Sequence, residues 1–421
     1  MRHFYTLMWC LALPLVLGRL WWRGFKEPGY RQHWGERLGL YGKQQADSRL
    51  TLWVHAVSVG ETRAAEPLID ALMLAYPDSR ILLTHMTPTG RATGKALFAS
   101  HGERLVQSYL PYDIPFMIRR FLRHFSPRIC ILMETEVWPN LIAVCGSAVP
   151  VALVNARLSA RSLRRGQRFG TLMTDAARTL ALVAAQTEAD AERVRSLGAP
   201  TVAVTGSIKF DVLVPEAALA TGAWLRERIG ARQVVLCAST RDGEEALILD
   251  AWKTAALPGN PLLLMVPRHP QRFDEVAAMA STRGLSLQRR SALGDTDVVS
   301  RVLLGDSMGE MFAYYAACDL AFIGGSLLPL GGQNLIEACA LGKPVLTGPH
   351  TFNFALVSEE AIAAGAALCI ADALQLVSKA GELLGNDDSR ARMGAAALAF
   401  AAHHRGATAR TVGLLRHIID E

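Results

Sequence analysis

Short apolar runs alternate with helical stretches along almost the whole of this 421-residue chain. Such alternation is typical of βαβ units, in which helices cover a parallel sheet. The predicted strands of the first half are residues 50–57, 80–86, 104–110, 128–133, 149–155, 180–186 and 201–205. Those of the second half are residues 233–238, 261–266, 284–288, 297–304, 319–323, 344–347 and 366–370. The pattern therefore predicts a parallel α/β fold.

The alternation is interrupted at residues 211–222, where Pro215 and several alanines indicate a linker. A chain of 421 residues is long enough for two to three domains with cores of their own. We therefore predict two doubly wound, Rossmann-like domains, over residues 25–212 and 213–421, with an interdomain cleft. Ligands of such sheets bind beyond the carboxyl ends of the strands, so functional residues are expected in the loops that follow the strands.

The N-terminal segment from Phe4 to Leu17 is apolar apart from Tyr5 and Thr6, is bordered by tryptophans, and is followed by Arg19, Arg23, Lys26, Arg31 and Arg37. The stretch from Phe4 to Trp22 is just long enough to span a bilayer, and the basic residues would then lie on the cytoplasmic side. A helix lying in the membrane surface fits equally, because the same basic residues would meet anionic lipid. A cleaved signal peptide is disfavoured, since no small-x-small cleavage site follows. We predict a membrane anchor over residues 1–24.

The net charge indicates which partners suit this protein, and the cysteines indicate its compartment. The net charge of +6 and the isoelectric point near 9.0 suit an anionic membrane or a phosphorylated substrate. The basic residues are too scattered for a nucleic-acid surface. The seven cysteines lie mostly in apolar runs and form neither a CxxC pair nor a cluster with histidine. They indicate reduced thiols in a cytosolic compartment and no structural zinc.

The most informative segment is 319–349, which predicts a strand, a loop carrying four glycines (324, 325, 331 and 332), a helix opened by Gln333 and Asn334, and a second strand. Glycines at a strand-to-helix turn let the backbone approach an anionic ligand closely. Asn334 and Glu337 share a helical face, and an amide beside a carboxylate suits the hydroxyls of a sugar or ribose. The alternative is an ordinary strand–loop–helix unit with a capping asparagine.

Three positions after strands of the first half carry candidate chemistry. Glu61 opens a helix after the first strand, where it can act as a general base or simply complement the helix dipole. Glu134 and Glu136 follow the fourth strand, where paired carboxylates adjust one another's pKa; Thr135 as a helix cap is the structural alternative. Lys209 lies at the end of the first half of the chain. Its ammonium group can stabilise negative charge that develops during a reaction, or it can simply be solvated.

Two loops of the second half complete the set of candidates. Arg268 follows a buried strand, and an arginine fork matches phosphate or carboxylate geometry. The turn Met308–Gly309–Glu310 follows another strand, where backbone N–H groups and a carboxylate can hold a base or ribose. The loop at residues 239–245 is a weaker candidate of the same kind. His269 has no partner at ligand spacing, so we interpret it as structural.

Taken together, these motifs resemble one family. They are SVGET, TPTG, LPYD, METEVWPN, NARLS, GSIKFD, VPRHPQRF, GDSMGE, GGS, NLIEA and GPHTFNF, in that order along the chain. The family is the 3-deoxy-D-manno-octulosonic acid (Kdo) transferases of Gram-negative lipopolysaccharide synthesis, and the resemblance covers nearly the full chain. One departure is Gln333, where some relatives carry histidine.

The resemblance implies a GT-B type glycosyltransferase that transfers Kdo, with inversion, from CMP-Kdo to the lipid A precursor (lipid IVA). It also implies attachment to the cytoplasmic face of the inner membrane, an acceptor-binding first domain, a donor-binding second domain, and no metal or other cofactor. By resemblance, Glu61 is the catalytic base, and Glu134 and Lys209 stabilise the transition state. The implied CMP-binding residues are Pro267, Arg268, Met308, Gly309, Glu310, Asn334, Leu335, Ile336 and Glu337.

Three other functions are alternatives to this one. The nearest is a GT-B enzyme that uses a UDP-sugar, for example in peptidoglycan or lipid A disaccharide synthesis. A sugar-nucleotide epimerase of the same fold is the second, and the membrane segment speaks against it. A non-catalytic membrane-bound nucleotide sensor is the third, and it would not need Glu61, Glu134 and Lys209 together.

Overall fold

A computed structural model describes residues 1–42, 49–146, 148–167, 170–212 and 214–421. The chain forms two compact units. Unit 1 comprises Met1–Asp211 and Arg405–Glu421, and unit 2 comprises Val212–His404. Each unit contains one seven-stranded sheet, and all the strand pairings in both sheets are parallel. The predicted α/β class and the doubly wound arrangement are confirmed.

The strands of unit 1 are β1 (Thr51–His55), β2 (Arg80–His85), β3 (Leu105–Tyr109), β4 (Ile129–Met133), β5 (Val151–Ala156), β6 (Leu182–Ala185) and β7 (Val202–Val204). Their order across the sheet is β3-β2-β1-β4-β5-β6-β7. All seven match strands predicted for the first half. Successive residues of β1 point to opposite faces, so Leu52 and Val54 join one apolar cluster and Trp53 joins the other.

The strands of unit 2 are β8 (Val234–Thr240), β9 (Leu262–Pro267), β10 (Leu287–Arg289), β11 (Val302–Leu304), β12 (Leu320–Ile323), β13 (Val345–Thr347) and β14 (Ala367–Cys369). Their order is β10-β11-β9-β8-β12-β13-β14. All seven were predicted, but β11 begins at Val302 rather than at residue 297. The N–H groups of Val299 and Ser300 donate to the Gln288 side chain at 2.8 and 2.9 Å, so they are not available to a strand ladder.

Helices cover both sheets. Those of the first part of the chain are α1 (Arg2–Arg23), α2 (Trp34–Arg37), α3 (Val59–Ala64), α4 (Glu66–Ala75), α5 (Pro88–Leu97), α6 (Pro115–Phe125), α7 (Pro139–Cys145), α8 (Ala160–Gln167), α9 (Thr171–Thr179) and α10 (Glu188–Ser196). Those that follow are α11 (Glu216–Ile229), α12 (Glu244–Thr254), α13 (Phe273–Thr282), α14 (Met311–Ala317), α15 (Ile336–Ala340), α16 (Ala355–Ala363), α17 (Ala373–Leu384), α18 (Asp387–His404) and α19 (Ala407–Asp420).

The predicted N-terminal helix is present as α1. Within the described ranges of the chain, α1 is the one helix that is long and apolar enough to cross a membrane, judged by length and composition alone. Leu20 of α1 is buried in a small cluster with Tyr30, Tyr112, Ile114 and Met117 of unit 1.

The predicted linker and domain ends differ from the observed ones. Residues 211–222 were predicted to be a linker, whereas α11 begins at Glu216, because Pro215 stands at the N-cap and good helix formers follow it. The last 17 residues were assigned to the second domain, whereas residues 405–421 belong to unit 1. Val412, Leu415 and Ile419 of α19 lie in the same apolar cluster as β1 and β4, which holds this helix in unit 1.

Each sheet has a point where the direction of winding reverses. In unit 1 it lies between β1 and β4, since β2 and β3 extend the sheet on one side and β5 to β7 on the other. In unit 2 it lies between β8 and β12. A crevice opens at the carboxyl ends of the strands at such a point, and it is the usual binding place in doubly wound sheets. Glu61 and Glu134 follow β1 and β4, and the glycine-rich loop follows β12.

Candidate active site

The Glu61 carboxylate folds back over the turn between β1 and α3. Ser58 is the N-cap of α3, and its side chain accepts a hydrogen bond from the Glu61 N–H. In return the Val57 N–H donates to Glu61 Oε2 at 2.8 Å. This exchange resembles a capping box, shifted by one residue, so the structural role foreseen for Glu61 is present. The carboxylate is also fixed beside the winding reversal of the sheet, the usual place for ligands in such folds.

The surroundings of Glu61 raise its pKa to about 7. Burial is the largest cause, because desolvation disfavours the charged carboxylate. The hydrogen bond from the Val57 N–H opposes it, and the negative charges of Glu136 and Glu134 raise the pKa further. A general base works best when its pKa lies near the working pH, and the pKa of Glu61 lies near neutrality.

Glu134 and Lys209 form an ion pair in unit 1. Lys209 Nζ lies 2.7 Å from Glu134 Oε1, and the two side chains are 34% and 20% exposed. Glu134 has a φ of 56°, a left-handed conformation that a non-glycine residue rarely adopts. Its N–H donates to Val154 O at 2.9 Å, which ties the turn to β5. The pair therefore holds the Lys209 ammonium group at the carboxyl edge of the sheet, with its charge balanced by Glu134.

The alternative in which Thr135 caps a helix is wrong. The next helix, α7, begins at Pro139 with Trp138 as its N-cap, so the two acidic residues lie in an irregular turn. Glu136 accepts a hydrogen bond from the Trp138 indole at 2.9 Å, and burial raises its pKa, an effect that the nearby Glu134 charge reinforces. The turn thus carries two carboxylates that both act on the pKa of Glu61.

Asn155 of the NARLS motif has a specific place in unit 1. It is fully buried at the end of β5, with a φ of 52°. Its Oδ1 accepts from the Ile208 N–H at 3.2 Å, which positions the 3-10 turn that carries Lys209. Its Nδ2 has no hydrogen-bond partner within the described residues of unit 1. Nothing in the sequence pattern predicted that a side chain on β5 would orient Lys209.

A buried carboxylate organises the glycine-rich loop of unit 2. Glu244, at the start of α12, is fully buried. Its oxygens accept from the N–H groups of Gly325 at 2.6 Å, Leu327 at 2.9 Å and Arg241 at 2.9 Å. The loop after β12 is therefore joined to the loop after β8 across the winding reversal. Sequence reasoning placed Glu244 in a weak candidate loop and missed this role.

Asn334 and Glu337 are brought together, as predicted. Asn334 Nδ2 donates to Glu337 Oε1 at 3.2 Å. The helix itself starts later than predicted, at Ile336, with Leu335 as its N-cap. Asn334 lies before it and accepts a hydrogen bond from the Ile336 N–H at 3.0 Å. The capping alternative is therefore also present, and the amide and carboxylate stand side by side at the start of α15.

Of the other predicted CMP-binding residues, Pro267 is the last residue of β9 and Arg268 follows it, and the turn from Met308 to Glu310 follows β11, the neighbour of β9 in the sheet. Glu310 accepts from Arg290 at 2.9 Å and from the Ser307 hydroxyl at 2.6 Å. Met308 is exposed on the same turn. After β9 the Arg268 side chain is exposed, and its N–H donates to Thr240 O at 2.9 Å. All these loops lie at the carboxyl edge of one sheet, so the residues predicted to bind CMP lie on the same edge of unit 2.

No group of three or more histidine, cysteine, aspartate or glutamate side chains within the described ranges has the arrangement of a metal site. The described cysteines are all free thiols.

Residues 32–212 match the family described as 3-Deoxy-D-manno-octulosonic-acid transferase (kdotransferase). The chain is 47% identical over 427 residues to the 3-deoxy-D-manno-octulosonic acid transferase of Bordetella pertussis, with 98% of each chain covered. It is 38% identical over 432 residues to the enzyme of that name from Haemophilus influenzae, covering 100% of this chain and 99% of the relative.

The chain belongs to the 3-deoxy-D-manno-octulosonic acid (Kdo) transferase family. It is therefore a glycosyltransferase, and the epimerase and sensor alternatives are excluded. A solved glycosyltransferase from Rickettsia africae ESF-5 has the same fold, with a TM-score of 0.58 and 13% identity over 89% of this chain and 99% of the other. The predicted GT-B type is confirmed. The roles of the individual site residues stay predictions.

Proposed function

We propose that this enzyme transfers Kdo from CMP-Kdo to the lipid A precursor (lipid IVA), with inversion, at the cytoplasmic face of the inner membrane, in lipopolysaccharide core synthesis. Family membership supports the sugar that is transferred. The observation that carries the chemistry is the Glu61 carboxylate, whose pKa is raised to about 7 at the winding reversal of the unit 1 sheet.

In the proposed step, a hydroxyl oxygen of the acceptor attacks the anomeric carbon of Kdo. Glu61 Oε1, which keeps only a long contact of 3.5 Å to the Ser58 hydroxyl, takes the proton of that hydroxyl. The bond between the anomeric carbon and the phosphate oxygen breaks, and CMP departs with the electron pair on the opposite face of the sugar. The new glycosidic bond therefore has inverted configuration.

Charge stabilisation is assigned to Lys209. Its ammonium group is fixed by Glu134 at 2.7 Å and by the turn that Asn155 holds. A preorganised cation stabilises negative charge without reorganising during the reaction. Lys209 would stabilise the negative charge that develops on the phosphate of the donor as the bond between phosphate and Kdo lengthens. Glu134 would keep the ammonium group in place.

Unit 2 is proposed to bind the CMP part of the donor. The pair Asn334 and Glu337 would bind the ribose hydroxyls, and the turn from Met308 to Glu310 would contact the base or ribose. Arg268 and the backbone N–H groups of the loop after β12 would bind the phosphate. Leu335 and Ile336 would shape the pocket beside the pair, as Pro267 would beside Arg268.

The proposal is tested with the purified full-length protein, CMP-Kdo and lipid IVA. We expect lipid-linked Kdo and CMP in equal amounts, and no product with UDP-N-acetylglucosamine as donor. Glu61→Gln should lower kcat by about 100-fold to 10,000-fold, the usual contribution of a general base. Glu66→Gln at the start of α4, also partly buried, is the matched control and should retain activity. CMP release without lipid-linked Kdo, or full activity of Glu61→Gln, would contradict the proposal.

Metal-free catalysis is a separate part of the proposal. The predicted cations of the reaction are Lys209 and Arg268, so divalent metal should not be needed. We expect excess EDTA to leave the rate of transfer within about twofold of the untreated enzyme. Loss of activity that Mg²⁺ restores would show that a metal supplies the missing charge.

A further inference from the structure

Helix α1 is held to unit 1 by polar contacts near its N-terminus. The Tyr5 hydroxyl donates to Asp113 Oδ2 at 2.9 Å. Thr6 Oγ1 and the Asn140 amide exchange hydrogen bonds at 3.1 and 3.0 Å. Side chains that are hydrogen-bonded to the folded unit cannot at the same time lie in the hydrocarbon region of a bilayer. The start of α1 is therefore docked to unit 1.

The same face of α1 contacts unit 1 along its whole length. The Trp9 ring lies 5.8 Å from the Tyr112 ring, and Leu13, Val16 and Leu17 pack on the cluster that buries Leu20. A helix of 22 residues is about 33 Å long. Because both ends contact one folded unit, they lie on the same side of any membrane that this unit does not cross.

The opposite face of α1 is apolar and exposed. Phe4, Leu11, Leu15 and Trp22 are 66%, 63%, 77% and 66% exposed. Their spacing of seven, four and seven residues places them on one side of the helix. An apolar stripe of this length on the surface of a folded unit marks an interaction site.

Basic residues are exposed at both ends of α1, whose first and last residues are Arg2 and Arg23. Arg19, Arg23 and Lys26 are exposed at the C-terminal end of α1. At the other end, Gly170 lies beside Met1, and α8, which ends three residues before Gly170, exposes Arg161, Arg164 and Arg165. A spanning helix would be expected to carry its positive charge on the cytoplasmic side only. Positive charge at both ends fits a helix whose ends both meet anionic headgroups.

We propose that α1 lies in the plane of the membrane instead of spanning it, with its outer face in an anionic phospholipid leaflet and the arginines of α8 at the same headgroup level. The inference rests on the proposed membrane attachment and goes further, because it fixes the side on which the N-terminus lies. It also makes α8 a second membrane contact.

Cysteine labelling of the full-length protein in bacterial membranes tests the topology. Exposed Cys10 and Cys369 are replaced by serine, and His3→Cys on α1 is compared with Asp78→Cys, an exposed position elsewhere in unit 1. We expect a membrane-impermeant maleimide to label both in inverted vesicles and neither in spheroplasts. Labelling of His3→Cys in spheroplasts alone would show a spanning helix and overturn this inference. Failure of the protein to sediment with membranes would overturn the proposed attachment as well.

Binding of the purified protein to vesicles tests the surface itself. Leu11→Glu with Leu15→Glu should weaken binding to phosphatidylglycerol vesicles at least about tenfold. Leu74→Glu is the matched control, because Leu74 of α4 is 83% exposed on the same unit. Replacing Arg161, Arg164 and Arg165 by glutamine should weaken binding about fivefold per charge on anionic vesicles and leave zwitterionic vesicles unaffected. Unchanged binding by either set of variants contradicts the proposed surface.

Discussion

Glu61 shows how one side chain can serve the fold and the reaction together. Its Oε2 completes the cap of α3 through the Val57 N–H, which favours the ionised form. Burial and the neighbouring carboxylates Glu136 and Glu134 favour the protonated form and prevail. The outcome is a carboxyl group held in one orientation whose proton is exchangeable near neutral pH.

The first prediction concerns the pH dependence of transfer. Only ionised Glu61 can accept a proton, so kcat/KM should fall as the pH drops through about 7, the pKa of Glu61. Glu136→Gln removes one of the charges that raise this pKa and keeps an acceptor for Trp138. The acid limb of the pH profile should therefore move to lower pH, while the control Glu66→Gln leaves it in place. An acid limb that does not move in Glu136→Gln would show that another group controls it.

The second prediction concerns stability. The folded-state pKa of Glu61 is raised from 4.5 to about 7, so its ionisation destabilises the folded protein increasingly as the pH rises from 4.5 to 7, and by a constant amount above that range. Glu61→Gln should therefore be more stable than the wild type by about 1–3 kcal/mol at pH 8, with a difference that shrinks towards zero near pH 4. Urea unfolding at both pH values measures this. Equal stability of the two proteins at pH 8 would mean that folding does not disfavour the ionisation of Glu61.

Some residues of the site were predictable because they follow strands of a doubly wound sheet. Glu61, Glu134 and Lys209 could be placed at one sheet edge in this way. Asn155 and Glu244 could not be assigned their roles, because each bonds backbone groups that are distant in sequence. A buried polar side chain that positions a distant turn leaves no periodic signal.

At the scale of elements, the loop after β12 is stiffened from several sides. A side chain on Gly324 would place its Cβ 2.6 Å from Thr240 Cα, so this position needs glycine for the close approach of β12 to the end of β8. Glu244 then anchors the loop through the N–H groups of Gly325 and Leu327. The loop is thereby preorganised to present its backbone to a ligand.

The third prediction tests this anchor. In Glu244→Gln one carboxylate oxygen becomes an NH₂ group that faces backbone donors, so a buried N–H loses its partner. We expect a loss of unfolding free energy of about 2–4 kcal/mol and a CMP affinity at least about tenfold lower, measured by calorimetry. Glu382→Gln on the exposed side of α17 is the matched control. Unchanged CMP binding by a folded Glu244→Gln would show that the loop after β12 does not contribute to the CMP site.

Element positions were predictable where apolar runs are long and uninterrupted, as in β1, β4, β8 and β12. Two starts were misplaced for the same reason. Gln288 takes the N–H groups that would extend β11, and Asn334 takes the Ile336 N–H at the start of α15. Local bonds between side chains and backbone compete with regular structure, and apolar periodicity does not record them.

At the scale of the whole molecule, the two ends of the chain belong to the same unit. The chain leaves unit 1 after Asp211 and returns to it at Arg405. The Asp211 carboxylate accepts from the N–H groups of Gly406 and Thr408, so the two crossing points are fastened together. The Tyr76 hydroxyl also donates to Asp420 at 2.9 Å. Sequence alone could not show this, because the apolar face of α19 would suit either sheet.

The last prediction follows from this crossing. Leu415 of α19 is fully buried in the cluster that contains β1 and β4, so Leu415→Ala should cost unit 1 about 2–5 kcal/mol. Hydrogen exchange should show faster exchange in β1 and β4, with β8 and β12 unchanged, although Leu415 is encoded after all of unit 2. His417→Ala on the exposed side of α19 is the control and should leave both units as they are. Loss of protection confined to unit 2 would show that α19 stabilises the other sheet.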